Sequence, residues 1–264
     1  KKNMLEEDKT VKQTEISAFA SLASELNLLK ADLSSLANSN KYVPVSGNSN
    51  LAISVADNSV ATAFSSDVTV NSLASQQTLQ FSGSSPYTSP TASIGKGTLT
   101  LNLGTWNVSG NSFTNKSTPV THTVTVDANN NTLQGLASSI NALSGISASV
   151  LQTSAGVYSL VVKSPMGADN AIKITTADAQ LDDFRADPTI VGMPRNAQKQ
   201  VASDAELIVD GITVKRTSNS ISNIFSGYTL DLKGETDTLT PANFNLRSSL
   251  DIDTAFNNAK SLVD

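Results

Sequence analysis

The sequence predicts an α+β fold that is mainly β. Two β-rich domains, the middle one inserted into the other, are bracketed by N- and C-terminal helices that form an antiparallel coiled-coil-like pair. Three observations carry this expectation. A heptad-spaced apolar row near the start gives way to alternating, strand-like runs; a second helical stripe closes the chain; and aromatics make up only 5% of the 264 residues. Ser, Thr, Asn and Ala take their place, which suits small β units with thin cores and hydrated surfaces.

The first element is helical. Phe19, Leu26 and Leu33 form one row and Leu22, Leu29 and Leu36 another, with steps alternating three and four, the a/d seam of a coiled coil or bundle. Val11 and Ile16 extend it less regularly. At the far end, Ser248 to Asp251 offer a helix start before an apolar stripe of Ile252, Phe256, Ala259 and Val263. Between the helices, Pro44, Ser46, Gly47, Asn48 and Ser49 break the helical period. Leu51, Ile53 and Val55 predict one strand and Val68 with Val70 another. Residues 82–96, rich in Ser, Pro, Thr and Gly, read as an exposed loop or interdomain crossing.

Strands resume with Leu99, Leu101 and Leu103, then with Val120, His122, Val124 and Val126 on one face. Thr132 is placed to cap a helix carrying Leu133, Leu136, Ala137 and Ile140, which stops near Ser144-Gly145. Two strands, 146–151 and 157–162, flank a turn at Ser154-Ala155-Gly156. Periodicity is lost over 177–200, broken by Asp187-Pro188, Gly192 and Pro194. The expected division is 1–41 with 249–264 for the helices, 42–81 with 197–248 for one β domain, and 82–196 for the insertion with its helix at 132–144. Separate consecutive domains are the alternative.

The sharpest local signal is a hairpin. Ala205 to Val209 and Ile212 to Arg216 alternate on either side of Asp210-Gly211, a dipeptide suited to a type I′ turn. That turn sets Val209 opposite Ile212 and Leu207 opposite Val214 on an apolar face, with Glu206 opposite Lys215 and Ile208 opposite Thr213 on the other. Ile221 and Ile224 then pin a short connector, and Gly227 precedes a strand with Tyr228, Leu230 and Leu232 on one face.

Chemistry is poorly represented. The net charge of −5, without a Lys/Arg cluster, argues against nucleic-acid binding. The absence of cysteine excludes disulfides, thiol catalysis and Cys-based zinc sites. No run is apolar enough to span a bilayer, and none resembles a signal peptide; a start at Lys1-Lys2 suggests a piece of a longer protein. His122, the single histidine, would have to centre any triad or metal site, but its neighbours make it a boundary residue satisfied by one hydrogen bond. Asp182-Asp183 and Asp251-x-Asp253 read as solvated or helix-capping acids rather than a hydrolytic pair. Gly95-x-Gly97 precedes a strand, so it is no phosphate loop, and the sequons at Asn107 and Asn115 are chance matches. No calcium loop occurs. No catalytic residue, cofactor or metal is expected.

The ordered string from Asp204-Ala205 through Val209-Asp210-Gly211, Arg216-x-Ser218-Asn219-x-Ile221 and Gly227-x-Thr229-Leu230-x-Leu232 resembles the flagellar filament cap, or hook-associated protein 2, family. Residues 132–141, TLQGLASSIN, are similar to the "IN" motif of hook-associated proteins, and Val70-x-x-Leu73-Ala74 and Ile94-Gly95-x-Gly97-Thr98-Leu99 fit the same pattern. The stretch Ala63-Phe64-Ser65-Ser66 departs from it, where a Gly-aromatic approach is more usual. The resemblance implies a noncatalytic, secreted assembly factor at the tip of the bacterial flagellum, exported without a cleaved signal peptide. It implies β-rich head domains that oligomerise into a ring, helical legs that contact flagellin, and a role in flagellin polymerisation and cell motility. The implied leg or oligomer seam is Phe19, Leu22, Leu26, Leu29, Leu33, Leu36, Ile252 and Phe256. Its implied partners are further copies of itself and flagellin, with the hook–filament junction protein and host glycans, hence cell adhesion, as additional ones. A hook–filament junction protein and an extracellular carbohydrate-binding adhesin using Trp106, Phe113, Tyr87 or Tyr158 are the other readings.

Overall fold

A computed structural model describes residues 2–38, 42–107, 112–187, 189, 198–236 and 245–261. Its elements run α1 (Lys2–Asn38), β1 (Tyr42–Ser46), β2 (Leu51–Val55), β3 (Phe64–Ser72), β4 (Gln76–Phe81), β5 (Gly97–Trp106), β6 (Phe113–Asn115), β7 (Thr121–Val126) and α2 (Leu133–Asn141). They continue with β8 (Ser147–Ser154), β9 (Val157–Met166), β10 (Ala171–Thr176), β11 (Gln198–Gln200), β12 (Ala205–Val209), β13 (Ile212–Arg216), β14 (Ser220–Ile221), β15 (Tyr228–Leu232), β16 (Asn245–Leu250) and α3 (Ile252–Ser261). The fold is mainly β, as expected.

Four sheets form around two cores. In the outer core, a five-stranded sheet ordered β1-β16-β3-β12-β13 faces a three-stranded sheet ordered β14-β15-β2. Leu51, Val68, Val70, Leu207, Leu230 and Leu246 fill the space between them. Strands from both sides of the middle segment therefore share one core. β3 is the hinge of this sheet: residues 64–67 pair with β16 and residues 68–72 with β12. Where it changes partner, Asp210 Oδ1 accepts from the Asp67 N–H at 2.8 Å and the Asp210 N–H donates to the Asp67 carbonyl at 2.9 Å.

The hairpin has the expected register, Val209 opposite Ile212 through Ala205 opposite Arg216, with Asp210 at φ 50° and Gly211 at φ 83°. One expectation fails. Ile212 is 68% exposed while Leu207 is fully buried; Ile212 lies on β13, the edge strand of the sheet, and Leu207 on β12 inside it. Phe64 resolves the unusual strand start: its ring stacks on Phe225 at 4.2 Å and meets Tyr228 edge-on at 5.1 Å. The buried Tyr228 hydroxyl donates to the Thr62 carbonyl and also bonds Ser248 Oγ, both at 2.8 Å.

The middle core lies between sheets ordered β10-β5-β6, with β7 also on β5, and β11-β4-β9-β8. Helix α2 completes it with Leu133, Leu136, Ala137 and Ile140, each at most 1% exposed. Burying each larger side chain contributes about 1.5–3 kcal/mol. As predicted, Thr132 caps the helix, its Oγ1 accepting from the Gly135 N–H at 3.0 Å. Gln77, 2% exposed, is the polar tie of this core: it donates to Gln198 Oε1, and its own Oε1 accepts from the Ile172 N–H.

β4, within the 42–81 segment, pairs with β9 and buries Leu79 and Phe81 in the middle core, and β11, within the 197–248 segment, pairs with β4. Amphipathic alternation cannot say which of two cores a strand faces. Residues 82–96 are also more than an exposed loop. The Pro90 and Ala92 carbonyls accept from the Gln134 and Leu133 N–H groups, satisfying free donors at the α2 start. In the irregular stretch after 177, a 3-10 turn at Ala179–Phe184 buries Leu181 and Phe184; Pro188, Gly192 and Pro194 lie outside the described residues.

The Gly95-x-Gly97 pair is explained by that turn. The Thr98 N–H donates to Asp178 Oδ2 at 2.7 Å and the Lys96 N–H to Gln180 Oε1 at 3.0 Å. A Cβ on Gly97, at φ 147°, would fall 2.3 Å from the Asp178 carboxylate. Gly97→Ala is therefore expected to lower unfolding free energy by about 1–3 kcal/mol from backbone strain alone, read by urea denaturation.

Asp187, 4% exposed, pairs with Lys173 at 3.1 Å and with Thr189. Burial pushes its carboxyl up, but the hydrogen bonds from Thr189 and Lys173 and the lysine charge outweigh this and hold it below the usual carboxylate range. A folded-state pKa below the unfolded one stabilises the fold above the unfolded value of about 3.9, and the gain fades as pH falls through the folded value. Asp187→Asn should cost about 1–3 kcal/mol at pH 7, and the gap to the unaltered chain should narrow below about pH 4 in denaturant titrations.

Candidate interaction surface

The long helix α1 spans 37 residues, about 55 Å at the helical rise. Its heptad row is on the surface of the single chain. Phe19 is 70% exposed, Leu22 51%, Leu26 56% and Leu29 43%. Leu33 and Leu36 continue the row within α1, but their side chains lie outside the described residues. Ile252 and Phe256 of α3 are likewise exposed. The side chain of Ala259 and all of Val263 lie outside the described residues. The two helices approach each other, yet the described seam side chains are not brought together into a shared buried interface. Exposed Leu and Phe at heptad spacing are the sequence signature of a surface that binds another helix.

The chemical candidates fare differently. His122 is half-buried on β7, and its Nε2 is shielded without a hydrogen-bond partner, so the single bond expected for it is not formed at that nitrogen. Among the described residues, no group of three His, Cys, Asp or Glu side chains could hold a metal ion. Asp182 pairs with Arg185 at 3.1 Å. Asp183 accepts from Ser84; burial of the Tyr87 ring, and after it the Asp183 carboxylate, raises the Tyr87 hydroxyl above its ordinary value. The aromatics expected of a glycan platform are used internally. Trp106 lies 4.7 Å from Phe113 and donates to the Ile172 carbonyl, and Tyr87 stacks on Phe184.

The motif residues have structural duties that periodicity does not reveal. In the "IN" pair, Ile140 is buried, and Asn141 holds both backbone groups of Ala148: its Nδ2 donates to the carbonyl at 2.7 Å and its Oδ1 accepts from the N–H at 2.8 Å. The side chain thus extends the ladder of β8 by one mimic residue. Gly227, at φ 83°, lies against Ala61 and Asp57, where a Cβ would clash at 2.6 Å. Asn219, in the Ser218-Asn219 pair, does for Ala74 what Asn141 does for Ala148. A helix-terminal or turn Asn followed by a strand is the one signal that could have flagged both.

The family model for the C-terminus of flagellar hook-associated protein 2 matches residues 202–264. The flagellar hook-associated protein 2 of Salmonella typhimurium is 31% identical over 111 residues, 41% of this chain and 24% of the relative. That of Escherichia coli O157:H7 is 25% identical over 211 residues, 79% of this chain and 42% of the relative. Less than half of each curated relative is thus spanned. Among solved structures, the three-domain flagellar cap protein segment from Escherichia coli matches with a TM-score of 0.70 and 25% identity, covering 94% of this chain and 66% of that one. A two-domain segment from Serratia marcescens matches at 0.60 and 28%, covering 75% and 99%. Motif residues, sequence relatives and fold agree in one direction: the chain is similar to flagellar hook-associated protein 2, the filament cap protein, with the family model matching its C-terminal part.

Proposed function

We propose that the protein is a noncatalytic structural cap and assembly factor that sits outside the cell at the flagellar tip, self-associates, and promotes flagellin incorporation. Support comes from the family and from one structural observation: the α1 row of Phe19, Leu22, Leu26 and Leu29 is fully formed yet 43–70% exposed. Leaving such a row in water forfeits about 1.5–3 kcal/mol per large side chain that burial would recover. In this reading the outer and middle β units form the head, divided near Ser75 and Ser203, with α1 and α3 as the upper leg. The leg row, including Leu33, Leu36, Ile252 and Phe256, packs on further copies of the chain or on flagellin. Export proceeds without a cleaved signal peptide.

In cells lacking their cap, the full-length protein is expected to restore filament growth, while a version with Leu22, Leu26 and Leu29 changed to Ser is not. Filament number and length are counted by electron microscopy, with export and circular dichroism as controls. Normal filaments from the folded, exported triple variant would remove the leg from this account.

A further inference from the structure

The chain crosses between its two cores twice, at residues 73–76 and at 200–204, and the crossings meet at a Ser75–Ser203 bridge. There the Ser75 N–H donates to the Ser203 carbonyl at 2.9 Å, and the Ser203 N–H donates back at 3.1 Å. The Ser75 Oγ also donates to the Val201 carbonyl at 2.6 Å, but all of these bonds lie between the two crossing strands themselves, which could still swivel as a pair. Three further ties converge on the same place, each from a different element.

Asn219, between β13 and β14 of the outer unit, accepts from the Ala74 N–H at 2.7 Å and donates to the Ala74 carbonyl at 2.9 Å. The same amide group points at Met166 Sδ, 3.7 Å away at the end of β9 in the middle unit. Asp204 Oδ1 accepts from the Ala168 N–H at 2.8 Å, fixing the turn after β9. Between these bonds, buried Gly167 donates its N–H to the Ser75 carbonyl, and its Cα face lies so close to Thr217 that a Cβ would fall 2.7 Å from the threonine Cβ. The 165–168 turn of the middle unit is therefore gripped from three sides by residues 204, 217 and 219 of the outer unit.

We infer that Asn219 and Asp204 are positioning residues of a rigid joint that locks the two β units at one relative orientation. Neither belongs to a core, and neither side chain is needed to complete the strands on its own side. Asn219 satisfies backbone at the first crossing, and Asp204, at the second, satisfies backbone of the 165–168 turn, so both ties span the place where torsion between the units would have to occur. Carbonyl and N–H of Ala74 are both held by one side chain, so rotation at residue 74 must break two bonds at once in a 5% exposed site.

The chain lacks cysteine, so exposed Thr213→Cys in the outer unit and Gln152→Cys in the middle unit accept spin labels at those two places alone. Double electron–electron resonance on the full chain is expected to give one narrow distance distribution. Asn219→Ala with Asp204→Ala should broaden it by at least about two-fold while circular dichroism of the strands is kept. A broad distribution in the otherwise unaltered chain, or an unchanged width in the double variant, overturns the joint. Should the double variant fail to fold, Asn219→Asp is read instead. It keeps the acceptor for the Ala74 N–H and loses the donor, so intermediate broadening is expected and an unchanged width overturns the inference.

Discussion

Everything in the outer unit depends on β3 being paired along both of its edges by strands that come from beyond the middle unit. β12 lies on one edge and β16 on the other, and both arrive more than a hundred residues later in the chain. Without them, Val68 and Val70 have no sheet to belong to, and the three-stranded layer of β14, β15 and β2 has nothing to cover. The Asp210 turn shows how closely this is tuned. One carboxylate and one N–H reach back to Asp67 at the residue where β3 passes from one partner to the other. The turn that closes the hairpin also registers that hairpin on the sheet.

Two apolar stripes of similar chemistry have opposite fates. In α2, four residues spaced by three and four are driven into the middle core, and the loop ahead of the helix supplies carbonyls for its first N–H groups. In α1 the row is longer and equally regular, but its described side chains, Phe19, Leu22, Leu26 and Leu29, stay exposed. Stripe α2 is explained by the fold of a single chain. Stripe α1 is not: its described Phe and Leu side chains are left in water by the single chain.

Much of the fold was legible because its signals are local. Asp210-Gly211, the Thr132 cap, and the alternation of Leu99, Leu101 and Leu103 each act within a few residues, and each behaves as its chemistry requires. What escaped was information held by distant partners. Nothing around Leu79 reveals that it faces the middle core, and nothing around Ile212 reveals that it stays exposed on an edge strand. Gly95 and Gly97 are dictated by Asp178 and Gln180, some eighty residues away. The spacing that puts Phe19, Leu22, Leu26 and Leu29 in one row of α1 was readable as a pattern. Whether one chain buries it was not, since a heptad row has the same pattern in either case.

The bridge between Ser75 and Ser203 has a kinetic consequence. Every described strand of the middle unit lies in one continuous stretch, 76–200, so it can condense without waiting for the rest of the chain. Once it does, its two ends stand side by side. A closure that would otherwise span about 130 residues is then shortened to a few, which lowers the loop-entropy cost of bringing β12 to β3. The insertion therefore acts as a template for the unit that contains it, and a lesion in the middle core would delay the outer one without touching any of its residues.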